Sequence, residues 1–269
     1  MKLKTESFPT PPPVAAWFQG GFHAFVRPYL RRHFHSVSLC NNGESTANVP
    51  PDEPLIVYAN HPSWWDPLIA HFVNKEIFDG RQFYAPIDAS ALAQYKVFAK
   101  LGFYGVDMGS ISGSAAFLKT SLGILNHGGT ALWITPEGRF SDCRDHTAPL
   151  MPGLAHLCTK LDRGRVVPMV MEYVFWEERL PECLVRFGSP MVIADRRHLT
   201  KPQWTELLTQ RLRDNQSRLA QDSISRDGSR FSPILRGGAG AGGVYDSFRR
   251  MGAWVTGQKF RPAHGEKLK

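Results

Sequence analysis

The sequence predicts an α/β fold: a single mixed, largely parallel sheet covered by helices. Three observations point there. Short apolar runs of strand length recur at LIVYA (55–59), QFYAPI (82–87), TALWIT (130–135), VVPMVMEYVF (166–175) and CLVRFG (183–188). Stretches of helical length and period lie between several of them. Clusters of Gly, Pro, Asn and Asp punctuate the joins. Strands alternating with helices favour a sheet covered by helices over an all-α or all-β core. The chain of 269 residues, with 42% hydrophobic and 12% aromatic content, can fill such a core.

Residues 1–13 read as a loose, Pro-rich polar lead. In residues 14–35, Trp17, Phe18, Phe22, Phe25, Val26, Tyr29 and Leu30 recur at roughly helical spacing. This segment is either a core-packed helix interrupted at Gly20 and Gly21, or a helix lying in a membrane interface with Arg27, Arg31 and Arg32 at headgroup level. Residues 41–54 are turn-rich. After the 55–59 strand, PLIAHFVNKEIF (67–78) predicts a helix with Pro67 in its first turn and Asp66 near its N-cap. A helix over 91–103 and a short extended piece at 104–108 follow. Ala115, Leu118, Leu122 and Leu125 then line one face of a helix that Gly128 and Gly129 stop. Residues 152–161 read as helical. Thr200 with Gln203 forms a capping box for a helix over 201–221, whose apolar face carries Trp204, Leu207, Leu208, Leu212 and Leu219. RGGAGAGG (236–243) reads as a linker to a basic, aromatic tail. The division expected is 1–35 as lead and membrane-proximal segment, 36–225 as the main domain, and 226–269 as linker and tail.

The net charge of +8 calls for an anionic partner, whether nucleic acid, anionic lipid or a phosphorylated substrate. No nucleic-acid recognition motif occurs, and the charges are dispersed rather than set in one stripe, so no nucleic-acid partner is expected. The four cysteines, Cys40, Cys143, Cys158 and Cys183, have neither zinc nor disulfide-framework spacing and fit a reducing, cytosolic setting. The start does not read as a secretory signal, and no run is apolar and long enough for a transmembrane helix. No G-x-S-x-G elbow or Walker A loop is present. Gly238, Gly240 and Gly243 spell G-x-G-x-x-G, but no strand leads into it.

Two polar stretches each follow a strand, where α/β proteins place their sites. The first is NHPSWWDP (60–67). A histidine is suited to take a proton from an attacking hydroxyl, and an aspartate beside it fixes its tautomer. His61 and Asp66 are that candidate pair. The second is TPEGRFSD (135–142), where Pro136 and Gly138 make a tight turn and Arg139 can bind an anion.

Together these stretches resemble a known family. NHPSWWD resembles the N-H-x-x-x-x-D block of the glycerolipid acyltransferases, which include lysophosphatidate acyltransferases, and TPEGRFS resembles their F-P-E-G-T-R-S block. LGFYGVDMGS (101–110), PGLAHLCTKLDRGRVVPMV (152–170) and VRFGSPM (185–191) are similar to further blocks, so the resemblance spans roughly 50–195. It implies transfer of an acyl group from acyl-CoA or acyl carrier protein to a lipid hydroxyl. His61 would be the general base and Asp66 its partner, with Pro136, Glu137, Gly138 and Arg139 in the acceptor-binding turn. No metal and no cofactor beyond the acyl donor is implied. It also implies a cytoplasmic protein, peripheral on the inner face of the membrane. Two positions depart from the family pattern. Met108 replaces an arginine in the second block, and Arg139 stands one place early in the third. The acceptor is therefore either lysophosphatidate or a non-phosphate lipid such as a glycolipid, a glycosylated isoprenoid or an amino-acid lipid. The other class open to the sequence is a catalytically silent relative that binds lipid or protein.

Overall fold

A computed structural model describes residues 9–43 and 49–239. Its centre is the strand β2 (Leu55–Ala59), buried at every position. Such a run needs cover on both faces. Leu55, Val57 and Ala59 point into one hydrophobic cluster, and Ile56 and Tyr58 into another. This is the two-residue period of a strand, so one short run feeds two cores. Leu55, Ile56 and Val57 have no exposed surface. Burial of each stabilises the fold by about 1.5–3 kcal/mol relative to leaving it exposed.

The other strands are β1 (Ser36–Cys40), β3 (Gln82–Asp88), β4 (Phe103–Val106), β5 (Thr130–Ile134), β6 (Arg165–Val174), β7 (Glu182–Phe187), β8 (Met191–Val192) and β9 (Phe231–Arg236). The sheet runs β4-β3-β5-β2-β6-β7-β1-β9, with β8 paired to β6. The pairs β4–β3, β3–β5, β5–β2 and β2–β6 are parallel. The pairs β6–β7 and β1–β9 are antiparallel and β7–β1 is parallel. The mixed, mostly parallel sheet expected from the alternation is therefore the fold. Helices α1 (Ala16–His33) and α2 (Asp66–Ile77) supply Val26, Leu30, Ile69 and Phe72 to one cluster. On the other face, α4 (Ile111–Leu125), α5 (Gly153–Lys160) and α6 (Lys201–Ser225) supply Ile124, Leu154, Leu157, Trp204, Leu208 and Leu212. The capping box at Thr200 and Gln203 is formed.

Several expectations are corrected. Helix α1 runs unbroken through Gly20 and Gly21 and packs its Val26–Leu30 face on the body, while Trp17 and Phe25 stay exposed. The lead is not loose from residue 9 onward: Tyr84 donates to Pro12 O at 3.1 Å, and Ala15 N–H to Lys100 O at 3.2 Å. The helix expected over 91–103 is broken. A short α3 (Ala89–Gln94), capped by Asp88, gives way to a 3-10 turn and then β4. Gly102 makes that change of direction with φ 100°, and a Cβ there would lie 2.1 Å from Phe83 O. In α4, Ala115 faces solvent, and Gly113, Ser121 and Ile124 are buried beside Leu125.

The sheet also extends past residue 225, the expected end of the main domain. Strand β9 pairs with β1, and the Gly-rich stretch begins tied down, with Gly237 N–H donating to His35 O at 2.8 Å. An ionic cluster around buried Asp222 fastens this edge. Arg230 donates to Asp222 Oδ1 at 2.7 Å, and Arg186 reaches Asp222 Oδ2 at 3.3 Å and Cys40 Sγ at 3.0 Å. The tail aromatics Phe248, Trp254 and Phe260 lie outside the described residues, as do Arg249, Arg250, Lys259 and Arg261.

Candidate active site

Where β2 ends, Asn60 continues its pairing by side chain. Its Nδ2 donates to Met171 O at 3.0 Å and its Oδ1 accepts from Met171 N–H at 2.9 Å. The amide thus imitates one more ladder step on β6, and the chain leaves the sheet at a fixed point. His61 follows directly. The chain then turns, and Asp66 opens α2 with Pro67 behind it in the first turn, where a missing N–H leaves no donor unused. A carboxylate at that helix end also meets the positive pole of the peptide dipoles.

The turn brings the candidate pair together. His61 Nδ1–H donates to Asp66 Oδ2 at 2.6 Å. Asp66 is 2% exposed, and two further donors reach it: Ser63 N–H at 3.1 Å on Oδ2 and the Tyr173 hydroxyl at 2.7 Å on Oδ1. Burial, with the Cys183 thiol and the Asp66 carboxylate nearby, holds the Tyr173 phenol well above its usual range, so it is a neutral donor. The His61 side chain stays 19% exposed, and its Nε2 has no hydrogen-bond partner among the described residues. Proton exchange is therefore open at Nε2 and closed at Nδ1.

The neighbouring strand β5 delivers the second stretch. Gly138 N–H donates to Thr135 O at 3.1 Å, closing a turn around Pro136 and Glu137, both buried. Gly138 has φ 66°, and a Cβ there would sit 2.4 Å from Met151 Sδ and 3.4 Å from Met108 Cε. The positive φ favours glycine, while the flexible methionine side chains could give way to a Cβ. Arg139 and Phe140 face outward, and Arg139 makes no ion pair among the described residues. The Phe140 ring lies 4.3 Å from the imidazole of His61, and Ser141 N–H donates to His61 O at 3.0 Å. So the structure gathers His61, Asp66 and the 136–139 turn at the carboxyl ends of adjacent strands.

Glu137 points inward. Its Oε1 accepts from Arg213 of α6 at 2.6 Å and its Oε2 from Ser141 Oγ. Arg213 also donates to Gln216 Oε1 at 2.7 Å and to Ala148 O. The carboxylate thereby anchors the turn to α6. The two tryptophans of the first stretch divide their roles. Trp65 packs on Phe34 with ring centroids 5.0 Å apart, and Trp64 is 66% exposed.

Asn60, Tyr173, Arg213, Ser141 and Phe140 were not singled out from the sequence as site residues. For Tyr173 and Arg213 no local signal exists, since one sits in a β-rich run and the other in an amphipathic helix. Asn60, Phe140 and Ser141 lie inside the two quoted stretches, and adjacency was their only signal. Among the described residues, no group of three or more His, Cys, Asp or Glu is arranged to hold a metal. No helix among them is long and apolar enough to cross a membrane.

A His–Asp pair beside an anchored Pro-Glu-Gly turn, at the carboxyl edge of a mostly parallel sheet, is an arrangement chemically able to take a proton from a hydroxyl. In the comparison with known families, the family model described as Acyltransferase matches residues 42–172. Over that segment the chain is similar to the Acyltransferase family, a likeness that supports acyl transfer in general. No curated protein matches the chain.

Proposed function

We propose that this protein transfers a fatty acyl group from an acyl thioester, acyl-CoA or acyl carrier protein, to a hydroxyl of a lipid acceptor. The observation that carries the reading is the 2.6 Å bond from His61 Nδ1–H to buried Asp66, with Nε2 left open. The acceptor hydroxyl gives its proton to Nε2 as its oxygen attacks the thioester carbonyl. The tetrahedral intermediate collapses, the thiolate leaves, and the imidazolium returns the proton to sulfur. Asp66 holds the tautomer and stabilises the imidazolium. Holding both substrates in line supplies much of the rate.

The acceptor's surroundings support a headgroup that is not a simple glycerol phosphate. Met108 and Met151 flank the Gly138 turn, and Met108 is 41% exposed. A thioether offers neither charge nor a strong donor to a phosphate. Arg139 remains as a cation in the same turn, suited to a single anionic or polyhydroxyl contact. Acylation of lysophosphatidate against a sugar-headed lipid by the purified protein tests this; a clear preference for lysophosphatidate would defeat it. In the same assay an active His61→Ala variant would remove His61 as the base, whereas a wild-type protein that acylates no acceptor would bring in the silent-relative reading.

A lipid acceptor calls for contact with a membrane surface. Exposed Phe25 stacks on Tyr29 at 5.1 Å, Tyr29 meets Trp65 at 5.9 Å, and Trp65 meets exposed Trp64 at 5.9 Å. This aromatic path links α1 to the His61 loop and supports an interfacial face there, with Trp17 and Phe25 dipping in and Arg31 and Arg32 near headgroups. Flotation with anionic liposomes tests it: a Trp17→Ala/Phe25→Ala variant should lose binding, and unchanged flotation would remove α1 from the account.

A further inference from the structure

The Asp66 carboxylate has two oxygens, and the loop that carries His61 uses only one of them. Oδ2 accepts from His61 Nδ1–H and from Ser63 N–H. Oδ1 accepts from a residue 107 positions away, the Tyr173 hydroxyl at 2.7 Å. Tyr173 enters from β6, next to β2 in the sheet, two residues beyond the Met171 peptide that Asn60 grips. Its ring packs against Phe34 at 5.8 Å. The groups facing the pair are these donors together with Cys183 of β7, whose thiol burial pushes well up, so that it stays neutral. No arginine or lysine is bonded to Asp66 among the described residues.

We propose that Tyr173 is a positioning residue for acyl transfer, acting through Asp66 to set both the orientation and the basicity of His61. This rests on the reading of His61 as the general base. One hydroxyl bonded to Oδ1 fixes the rotation of the carboxylate, so Oδ2 stays in line with Nδ1–H. It also withdraws charge from the carboxylate. A carboxylate with an unshared Oδ1 is a stronger acceptor and favours the imidazolium more, which raises the pH at which the base becomes free. A donor one step behind the metal ligand or base commonly tunes it in this way. A neutral donor suits the task, because a cation there would pull harder and weaken the base further.

The test is Tyr173→Phe in the full chain, which deletes one oxygen and keeps the ring. The expected result is a kcat about tenfold lower, the worth of one hydrogen bond to a charged group. KM for donor and acceptor should be unchanged, and the acid limb of the kcat/KM profile should move to higher pH. In an Asp66→Asn background the same substitution should cost little, since the group it acts through is gone. A folded Tyr173→Phe enzyme with wild-type kcat and an unmoved acid limb would overturn the proposal, as would an equal loss in the Asp66→Asn background. Should Tyr173→Phe fail to fold, 3-fluorotyrosine at position 173 replaces it. A more acidic phenol donates more strongly, so the acid limb should move to lower pH, and an unmoved limb overturns the proposal. An active His61→Ala enzyme would instead sink the base assignment itself, a separate and distinguishable failure.

Discussion

Asp66 and Glu137 are buried carboxylates in the connections that leave adjacent parallel strands, Asp66 at the first residue of α2, yet they are partnered in opposite ways. Glu137 is met by the guanidinium of Arg213 and is sealed, with no exposed side-chain surface. Asp66 is met by a backbone N–H, a phenol and a histidine that reaches solvent. A permanent cation fixes a loop but leaves the carboxylate nothing further to stabilise. Neutral donors fix the carboxylate's geometry while leaving its charge to act on a partner that gains a proton only during the reaction. The difference separates a carboxylate that holds structure from one that, under the proposed function, serves chemistry, although both come from family-type blocks of similar appearance.

The sharpest way to break this comparison is to remove the reacting partner on one side. His61→Ala should lower the acyl-transfer rate about 10²- to 10⁴-fold with little change in melting temperature, measured by thioester turnover and thermal unfolding. On the other side, Arg213→Met should act on stability. It leaves Glu137 buried without its cation, at a cost of about 3–5 kcal/mol in chemical denaturation. The double variant Glu137→Gln/Arg213→Met should recover part of that loss. A stable Arg213→Met protein would mean that the ion pair does not hold the turn.

His71 extends the comparison to a buried base with no charged partner bonded to it. It accepts from His23 Nε2–H at 3.1 Å and donates to Leu101 O at 3.2 Å. Burial lowers its pKa from 6.5 to about 4, with the neighbouring His23 acting in the same direction. In the unfolded chain it takes up a proton below about 6.5; in the fold it stays neutral down to about 4. Stability from this group is therefore complete above 6.5 and falls as pH drops toward 4, by about 1.4 kcal/mol per unit. Denaturation of wild type and His71→Gln at pH 7.5 and 5.5 checks it: the variant should show the shallower dependence. The smallest effect belongs to Met108, just after β4. Met108→Arg should raise the preference for a phosphate-bearing acceptor over a neutral one by about tenfold in kcat/KM, as one charge-assisted bond would. No change in that ratio would place the acceptor headgroup away from the Gly138 turn.

The parallel half of the fold and the two site stretches were legible in the sequence because each depends on short-range features. Fully buried strands read as apolar runs, and His61, Asp66 and the Pro-Glu-Gly turn lie within a few residues of each. The antiparallel edge was not legible. SVSLC buries Ser36 and Ser38, whose hydroxyls bond each other at 2.7 Å, with Ser36 also bonding Glu182 at 2.6 Å, so its inward face looks polar. FSPILR carries a proline and precedes a Gly-rich run, and only its pairing with β1 makes it a strand. The helix over 91–103 failed because its apolar spacing persists through a change of direction that Gly102 enforces. Tyr173 and Arg213 failed for a different reason: their partners lie 107 and 76 positions away, and no window of sequence holds both ends.

Asn60 carries a consequence for the ageing of the enzyme. Asparagines in loops lose ammonia when the next residue's backbone nitrogen attacks the side-chain carbonyl, and the ring that forms can reopen with an extra carbon in the main chain. Here the next residue is His61, and such an insertion would carry its imidazole away from Asp66. The two bonds to Met171 hold the amide against β6 and away from the nitrogen that would attack it. The same contact that starts the loop in the right place thus restrains the Asn60 amide from that reaction, and slow chemical ageing of the loop becomes a matter of how firmly the edge of a β-ladder holds one side chain.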